Sequence, residues 1–335
     1  SLLVTGYWLL VTDNSQRATS NEQQVTSTEH RAPGTEIIVV DNGSSDGTPE
    51  MVAQAFPLVR LIRNRENRGF AAACNQGFAV ARGRYLMLLN PDTVVHPGAP
   101  DALLACVQAD PMVGLVGPRI LGPDGRIDYR CARRLPTPMS EFWEWAGVAR
   151  RFPDVPFLGH NLMYRWDHRS DRDVEMISGV CMLMPRAVWE QVGPLDEGYF
   201  MYGEDADYCR RVAAAGYRIH YCADAVVEHR GGASSIQQPT TAATVEALWG
   251  VNRYFRRHLG GWAALYHRSL MALVALVKSG GYGIAWLVSR GERRRLDAQV
   301  RLHGAWLRWA LGFPVPRLRK PGGGNRGVEN RKQRH

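Results

Sequence analysis

Lysine and paired cysteines are scarce in this sequence. Only three of its 41 basic residues are lysines, so its positive charge is almost entirely arginine, which we interpret as a composition bias. The six cysteines form no CxxC pair, which argues against a cysteine-based metal or redox site. We expect them to be reduced, mostly buried thiols, as in a cytosolic protein. They are Cys74, Cys106, Cys131, Cys181, Cys209 and Cys222.

The sequence also has no secretory signal at its start and no hydrophobic run long enough to cross a bilayer. Residues 1–10 have neither a basic segment nor a small-residue cleavage site, so we expect a cytoplasmic protein. The longest apolar run, residues 270–277, ends at Lys278. That run is far shorter than the roughly 20 residues that a membrane-spanning helix needs.

Charge is distributed unevenly along the chain. Residues 251–335 carry 18 Lys and Arg against 3 Asp and Glu, whereas residues 1–250 carry 23 against 29. This asymmetry predicts a basic C-terminal region that meets an anionic partner, either a membrane surface or a nucleic acid. Since the body of the chain contains no recognisable RNA-binding or DNA-binding module, we expect no nucleic acid partner.

Apolar patterning predicts an α/β fold. With 335 residues, 45% of them apolar, the chain can bury one large core or a core and a smaller appendage. Strand-like runs occupy residues 8–12, 36–40, 59–62 and 84–89, and helical patterns between and after them occupy residues 48–55, 69–81 and 99–109. Continuous apolar runs are typical of strands covered on both faces, so the pattern favours a mainly parallel sheet.

The second half of the chain has a different pattern. Residues 119–173 are polar and rich in Pro and Arg, and we expect long loops over a substrate cleft. Three amphipathic helices are predicted at residues 245–259, 262–278 and 290–311. Their Trp and Arg residues suit an anionic membrane interface, and packing on the main domain is the alternative.

Two motifs in the first half suggest a phosphate-binding or nucleotide-binding edge. In VVDNGSSDGT, residues 39–48, a strand ends in Asp41, where doubly wound sheets bind ligands. In NRENRGFAAACNQG, residues 64–77, small residues follow Gly69 at the start of a helix, an end that favours anions. Taken singly, each motif is equally compatible with an ordinary turn and helix cap.

Two further motifs supply carboxylates and a histidine. Asn90-Pro91-Asp92 ends a buried strand, and the Asp92 carboxylate could hold a divalent metal against a diphosphate. Glu204-Asp205 begins a helix, where an ionised carboxylate facing a cleft can act as a general base. His229 follows a strand later and could complete a metal site. A turn cap and a structural ion-pair network are the competing interpretations.

Together the motifs resemble a known family. VVDNGSSDGT, NRGFAAACNQG, LLNPDT, GYFMYGEDADYCRR and VEHRGGAS follow in this order within residues 36–235. Their order is similar to that of family 2 glycosyltransferases, which are inverting enzymes of the GT-A fold. The NRGFAAACNQG and NPDT forms most resemble the bacterial rhamnosyltransferase branch. In NPDT, Asn90 stands where the family's metal motif has its first aspartate.

This resemblance implies the architecture. We expect an α/β nucleotide-sugar-binding fold of the GT-A type, with a Rossmann-like, mixed and mainly parallel sheet followed by C-terminal amphipathic helices. The glycosyltransferase domain would occupy residues 1–240, with a nucleotide-binding half at 1–118 and an acceptor half at 119–240. A helical, membrane-associating region would follow at 241–319, and a disordered basic tail at 320–335.

The resemblance also implies a role for each matching residue. Asp205 would be the general base, and Asp92 and His229 would bind a divalent metal, Mg²⁺ or Mn²⁺. The acceptor side would comprise Ser178, Gly179 and Glu204. The donor would be bound by Thr12, Asp41, Asp46, Asn67, Gly69, Asn75, Asn90 and Arg211.

The implied function is transfer of a sugar from a nucleotide diphosphate to a hydroxyl group of a glycan or lipid-linked acceptor, in cell-surface polysaccharide synthesis. L-Rhamnose from dTDP-rhamnose is the first choice of donor, and UDP-galactofuranose or another UDP-sugar is the alternative. The enzyme would sit peripherally on the cytoplasmic face of the inner membrane, on an anionic surface.

The start of the chain departs from the family pattern. Asp13 stands where the family has an aromatic residue, and residues 15–34 contain no leucine or isoleucine. A helix there would bury little apolar surface. This departure keeps open a second function class, an inactive pseudoenzyme that binds nucleotide sugars.

Overall fold

The computed structural model describes residues 6–12, 34–155, 157–158, 161–230, 240–288 and 293–318. For residues 6–12, 240 and 293–295 only the backbone is described. The predicted tail at 320–335 and the segment 15–33 lie outside the described residues.

A mixed sheet forms the centre of the molecule. The strands are β1 Gly6–Thr12, β2 Thr35–Asp41, β3 Arg60–Arg63, β4 Tyr85–Leu89, β5 Thr93–Val95, β6 Val113–Leu121, β7 Ala132–Arg133, β8 Arg172–Val174, β9 Met176–Ile177, β10 Cys181–Pro185 and β11 Arg218–His229. The main sheet has the order β3-β2-β1-β4-β10-β6-β11-β5, with β8 also pairing with β11. Strands β7 and β9 form a separate pair.

The α/β class is confirmed, but the expectation of a mainly parallel sheet is wrong. Among the described strand pairs of the main sheet, only β2 with β3 and β6 with β11 are parallel. Strand β1 runs antiparallel to both of its neighbours, β2 and β4. Apolar runs report burial on both faces of a strand, and burial does not determine the direction in which the strand runs.

Helices cover both faces of the sheet. They are α1 Thr48–Ala55, α2 Phe70–Val80, α3 Ala99–Ala109, α4 Pro138–Ala146, α5 Val148–Arg151, α6 Arg186–Val192, α7 Glu204–Ala214, α8 Thr240–His258, α9 Gly261–Val288 and α10 Arg293–Leu311. Side chains alternate along β4, so Leu86 and Leu88 share a core with Phe78 of α2, whereas Met87 packs with Leu103 of α3.

Helix α4 lies in the region that we expected to form loops, so that expectation is wrong in part. A capping box begins the helix: Ser140 N donates to Thr137 Oγ1 at 3.1 Å, and Thr137 N donates to Ser140 Oγ at 2.9 Å. Pro138 occupies the first helical turn. Thr-Pro followed by a hydroxyl residue is a recognisable helix start, which could have been read from the sequence.

The C-terminal helices pack on the main domain through one face each. Tyr254 and Phe255 of α8 belong to the same core cluster as the sheet. Met271 of α9 and Trp306 of α10 form a second cluster with residues of α8. Helix α9 is 28 residues long and is long and apolar enough to cross a membrane, by length and composition only. The predicted end of this helix at Lys278 is therefore wrong, because the helix continues to Val288.

Two cysteines depart from the expectation of free thiols. Cys106 of α3 and Cys222 of β11 form a disulfide, with their Cα atoms 6.6 Å apart. Helix α3 packs on β11, which brings the two residues together from distant parts of the chain. The other cysteines are free and buried, as expected; they are Cys74, Cys131, Cys181 and Cys209.

Candidate active site

Asp41 provides a buried acceptor at the end of β2. Its side chain is 2% exposed, and its Oδ2 accepts hydrogen bonds from the backbone N–H groups of Gly43 and Ser44, both at 3.3 Å. Its Oδ1 is buried and has no hydrogen-bond partner among the described residues. Since buried polar atoms are nearly always paired, this oxygen is suited to an N–H or O–H group of a ligand.

Asn42, which the motif contains but sequence reasoning did not select, joins the two N-terminal motifs. Its Nδ2 donates to Asn67 Oδ1 at 2.9 Å and to Gly69 O at 3.2 Å, and its Oδ1 accepts from Arg68 N at 3.0 Å. Gly69 has φ +89°, and a Cβ there would lie 2.7 Å from Phe200 O. These contacts hold the start of α2 beside the end of β2.

Of two further predicted donor residues, Asp46 lies at this edge of the sheet and Thr12 does not. Asp46 is exposed, and its Oδ1 accepts a hydrogen bond from Thr48 N at 3.1 Å, at the start of α1. Hydrogen bonding to Thr48 lowers the pKa of the Asp46 carboxyl. Thr12 is placed elsewhere: because β1 runs antiparallel, Thr12 lies opposite Thr35 and Tyr85, at the starts of β2 and β4. Its predicted role in the donor pocket is therefore wrong.

Asp92 and His229 meet at the other side of this edge. Strands β5 and β11 pair with Thr93 opposite His229. His229 Nε2 lies 3.2 Å from Asp92 Oδ1, and Arg230 N donates to Asp92 O at 2.9 Å. The two side chains are 18% and 10% exposed. The predicted pair is thus brought together in a largely buried position.

This cluster fits a divalent metal ion. The Oδ1 atom of Asn90 is buried and has no hydrogen-bond partner among the described residues, and it belongs to the same motif as Asp92. A carboxylate oxygen, an amide oxygen and an imidazole nitrogen are ligands that Mn²⁺ accepts, and the oxygens also suit Mg²⁺. So few protein ligands would leave coordination positions for phosphate and water oxygens.

Asp205 lies at the start of α7, beside the loop formed by residues 178–180. Gly179 N donates to Asp205 Oδ2 at 3.5 Å, and Ala206 N donates to Oδ1 at 2.9 Å. The loop is itself anchored, because Ser178 N donates to Cys131 O at 3.0 Å. Asp205 is half-buried, so its carboxylate is held in place and still reaches solvent.

Glu204 differs from its neighbour in burial and protonation. It is 6% exposed, and its Oε2 has no hydrogen-bond partner among the described residues. Burial, followed by the charge of Asp205, raises the pKa of the Glu204 carboxyl to about 8. Near neutral pH the Glu204 carboxyl is therefore largely protonated and neutral. A contact between Glu204 and an acceptor stays a prediction.

Two predicted donor residues, Asn75 and Arg211, make structural hydrogen bonds, and their contact with a donor stays a prediction. Asn75 exchanges two hydrogen bonds of 2.9 Å with the backbone of Leu195. Arg211 donates to Asp207 Oδ2 at 2.9 Å, to Val192 O at 3.0 Å and to Pro194 O at 2.9 Å. Both side chains hold the segment that follows α6, where their hydrogen-bonding groups are already used.

Helix α8 supports the turn that precedes Glu204, a role that no motif indicates. A Cβ at Gly250 would lie 2.0 Å from Tyr202 O, so the helix backbone contacts this turn directly. Tyr202 has φ +70°, a left-handed conformation that is rare for a bulky residue and is often found at functional sites. Arg253 of α8 donates to Asp196 Oδ2 at 2.8 Å in the same loop.

A cleft of about 910 Å³ opens beside the Asp92–His229 pair. It is lined by residues 122–130 and by Asp167, Arg169, His229 and Arg230. Of the residues predicted from the sequence, His229 alone lines it.

Known proteins with similar sequences identify the family. The model of glycosyl transferase family 2 matches residues 21–192. An N-acetylglucosaminyl-diphospho-decaprenol L-rhamnosyltransferase of Mycobacterium tuberculosis is 32% identical over 251 residues, 72% of this chain and 81% of that protein. A low-salt glycan biosynthesis hexosyltransferase of Haloferax volcanii is 24% identical over 239 residues, 70% of this chain and 69% of that protein.

Among solved structures, GalNAc-T7 with UDP, GalNAc and Mn²⁺ superposes with a TM-score of 0.46 at 16% identity, over 84% of this chain and 53% of that chain. The family match spans more than half of the sequence and includes Asp41, Asp92 and Gly179. The chain therefore belongs to family 2 of the glycosyltransferases, and its α/β fold is of the GT-A type.

Proposed function

We propose that this glycosyltransferase is inverting and transfers L-rhamnose from dTDP-rhamnose to a hydroxyl group of a lipid-linked glycan. The loop at residues 178–180 carries the proposal. Val180 O accepts the N–H of Asn90 at 2.9 Å, and Gly179 N donates to Asp205 Oδ2 at 3.5 Å. One short loop thus joins the metal-binding end of β4 to the proposed general base.

Asp205 would act as the general base. Its carboxylate takes the proton of the acceptor hydroxyl while that oxygen attacks the anomeric carbon, and the bond from this carbon to the diphosphate breaks. Attack comes from the face opposite the leaving nucleotide, so the configuration inverts in one displacement. Asp92 and His229, with Asn90, would hold a divalent ion that, when bound, neutralises charge on the diphosphate.

Donor recognition would depend on Asp41 and its neighbours. The unpartnered Oδ1 of Asp41 is suited to the N–H of a pyrimidine base or to a ribose hydroxyl. Asn67 and Gly69, held by Asn42, would line the same pocket, with Asp46 at its exposed rim. Since thymine and uracil offer the same N–H, these contacts accept dTDP-sugars and UDP-sugars alike.

The choice of rhamnose and of a diphospho-lipid acceptor comes from the mycobacterial relative, which is named as an L-rhamnosyltransferase acting on N-acetylglucosaminyl-diphospho-decaprenol.

The second candidate function is that of an inactive protein that binds nucleotide sugars. One observation favours it: antiparallel β1 leaves the donor pocket without Thr12.

Helix α9 would attach the enzyme to the cytoplasmic face of the inner membrane. Its outward side carries large apolar residues at helical spacing, whereas its inner side packs on α4, α8 and α10. The exposed residues are Trp262, Leu265, Tyr266, Leu273, Leu276, Val277, Ile284, Leu287 and Val288. A helix with one packed face and one apolar face suits the plane of the membrane interface.

Donor-induced thermal stabilisation tests the function. Wild type and Asp92→Ala are compared across dTDP- and UDP-sugars, each with Mn²⁺ and with EDTA. A ligand that binds only the folded state stabilises it by about 2.7 kcal/mol at about 100 times its Kd. We expect stabilisation by dTDP-rhamnose that needs Mn²⁺ and is lost in Asp92→Ala.

Transfer is then assayed with the preferred donor and an N-acetylglucosaminyl-diphospho-lipid. Product with inverted anomeric configuration supports the proposal. Stabilisation by donor without any transfer would favour the inactive binding protein, and stabilisation by UDP-galactofuranose alone would overturn the choice of rhamnose.

A further inference from the structure

We propose that the cleft beside His229 is a diphosphate subsite for the lipid-linked acceptor, lined by three Asp-x-Arg turns and by Arg230. This inference rests on the proposed function, because it names the group of the acceptor that the enzyme recognises. The turns are residues 124–126, 128–130 and 167–169, and all of them line the cleft.

Each turn has the same construction. The aspartate Oδ1 accepts a hydrogen bond from the backbone N–H of the arginine two residues later. The distances are 3.1 Å for Arg126, 2.9 Å for Arg130 and 3.0 Å for Arg169. In such an Asx turn the carboxylate is hydrogen-bonded to the local backbone, and the turn fixes the backbone position of the arginine. Two segments far apart in sequence thereby present arginines to the same cleft.

Two of the guanidinium groups form only long ion pairs with nearby carboxylates. Arg126 Nε lies 3.8 Å from Asp124 Oδ2 and Arg230 Nε lies 3.8 Å from Glu228 Oε1, distances too long for a hydrogen bond. Arg130 differs, because its Nε and Nη2 bind both oxygens of Asp128 at 2.9 Å and 2.7 Å. We assign the first two arginines and the exposed Arg169 to the anion, with the Asp128–Arg130 pair as a wall of the cleft.

The cleft connects the two ends of the reaction centre. His229 lines it and contacts Asp92, and Arg230 follows His229 directly. The lining also includes Arg130; Cys131 follows it, and the Cys131 carbonyl accepts the N–H of Ser178 in the loop that contacts Asp205. An acceptor sugar with a hydroxyl at Asp205 would have its own diphosphate within reach of this cleft.

The size and the ligand chemistry agree with this assignment. A volume of about 910 Å³ exceeds what one phosphate needs and suits a sugar diphosphate. Arginine binds phosphate oxygens in a bidentate manner, which makes it the preferred residue for such groups. The donor also has a diphosphate and membranes have phosphate head groups, so the test must separate these sources from the acceptor.

The test compares two acceptors that have the same sugar. One is an N-acetylglucosaminyl-diphospho-prenyl lipid, and the other is an uncharged alkyl N-acetylglucosaminide. The variant is the double substitution Arg126→Gln and Arg169→Gln. Arg301→Gln serves as the matched control, since Arg301 is an exposed arginine paired with Asp297 on α10, outside the cleft.

We expect wild type and Arg301→Gln to prefer the diphospho-lipid in kcat/KM. The double variant should lose roughly tenfold or more of this preference, the range for hydrogen bonds to charged groups. An unchanged preference overturns the proposal. A rise in donor KM that is equal for both acceptors assigns the arginines to the donor, and a loss confined to vesicle binding assigns them to membrane phospholipid; either result also overturns it.

A binding measurement separates failure of this inference from failure of the proposed function. With EDTA present, a short-chain prenyl diphosphate should raise the Tm of wild type and Arg301→Gln but not of the double variant. If wild type transfers no sugar while this pattern holds, the function is wrong and the anion subsite stands. If wild type transfers sugar and all three proteins respond alike, the subsite is wrong and the function stands.

Discussion

His229 Nε2 lies 3.2 Å from Asp92 Oδ1 because strands β5 and β11 pair in a register that places Thr93 opposite His229. The two residues belong to different motifs, and neither motif specifies this register. The contact places a strand-end carboxylate beside an imidazole, as the proposed metal site requires.

Replacing His229 should weaken metal binding without unfolding the protein. For His229→Gln we expect the Mn²⁺ concentration that gives half-maximal activity to rise about tenfold or more. The matched control is His220→Gln, on the same strand, where His220 pairs with Asp173 at 2.7 Å away from the cleft lining. Equal Mn²⁺ requirements in both variants would contradict a metal-binding role for His229.

Replacing Asp205 should remove catalysis and leave binding intact. We expect Asp205→Asn to lower kcat by about 10²-fold to 10⁴-fold, the contribution of a general base, with donor-induced stabilisation unchanged. Normal turnover by this variant would refute the assignment of the base. Single-turnover rates and thermal shifts, measured on the same preparation, separate the two effects.

Asp207, on the same helix, should behave differently because its role is structural. It is fully buried and pairs with Arg211 at 2.9 Å and with His258 at 2.8 Å. Removing one partner from a buried ion-pair network costs about 3 kcal/mol or more, so Asp207→Asn should lower the free energy of unfolding. Denaturant unfolding of the two Asp→Asn variants checks this contrast, and equal stability would contradict it.

Glu204 should make the protein less stable as the pH rises. Burial and the charge of Asp205 raise the folded-state pKa of its carboxyl from 4.5 to about 8. Between these values the unfolded chain has lost the proton that the folded protein keeps, so stability falls as pH rises from 4.5 to about 8. Above that window both states are ionised, and the effect is constant.

Glu204→Gln mimics the neutral acid and removes this titration. We expect the variant to gain stability relative to wild type as the pH is raised from about 5 to about 8, the folded-state pKa of Glu204 in wild type. Denaturant unfolding at a series of pH values measures this difference. Glu190→Gln, at an exposed position of α6, is the control and should follow wild type. Parallel curves for Glu204→Gln and wild type would contradict the raised pKa.

Adding one methyl group to α8 at Gly250 should disturb the turn at Tyr202, which precedes Glu204. A Cβ at Gly250 would lie 2.0 Å from Tyr202 O, so Gly250→Ala must displace the turn that positions Asp205. We expect lower kcat and lower Tm. The control is Gly280→Ala on α9, where a Cβ meets nothing within 4 Å and should add up to about 1 kcal/mol of helix stability.

The outer face of α9 should be required for membrane binding. Leu273 and Val277 are 50% and 66% exposed, and Leu273→Glu with Val277→Glu places two charges on this face. We expect co-sedimentation with anionic vesicles to be lost, and wild-type binding to weaken with salt. Leu58→Glu, at a position 72% exposed on the main domain, is the control. Equal vesicle binding by both variants would contradict this role.

Local sequence was sufficient to predict much of the site. The predicted features are local: Asp41 at the end of β2, Asp92 just after β4, and Glu204-Asp205 at the start of α7. Each of these elements forms within a residue or two of its predicted position. Strand periodicity and helix-start chemistry depend on neighbours along the chain, which explains why these predictions hold.

Other features could not be predicted because they depend on distant partners. Asn75 and Arg211 have donor-like side chains, but both bind backbone groups of the segment at 192–195. Thr12 lies at the starts of β2 and β4 because β1 runs antiparallel. Cys106 meets Cys222 only because α3 packs on β11.

The sequence by itself determined the family, the α/β class and the motif residues of the candidate site. Tertiary structure decided the strand directions, the meeting of Asp92 with His229, the support of Tyr202 by α8 and the grouping of three Asp-x-Arg turns around one cleft. The physical reason is that periodicity and capping are local, whereas strand pairing and helix packing depend on which distant surfaces bury each other best.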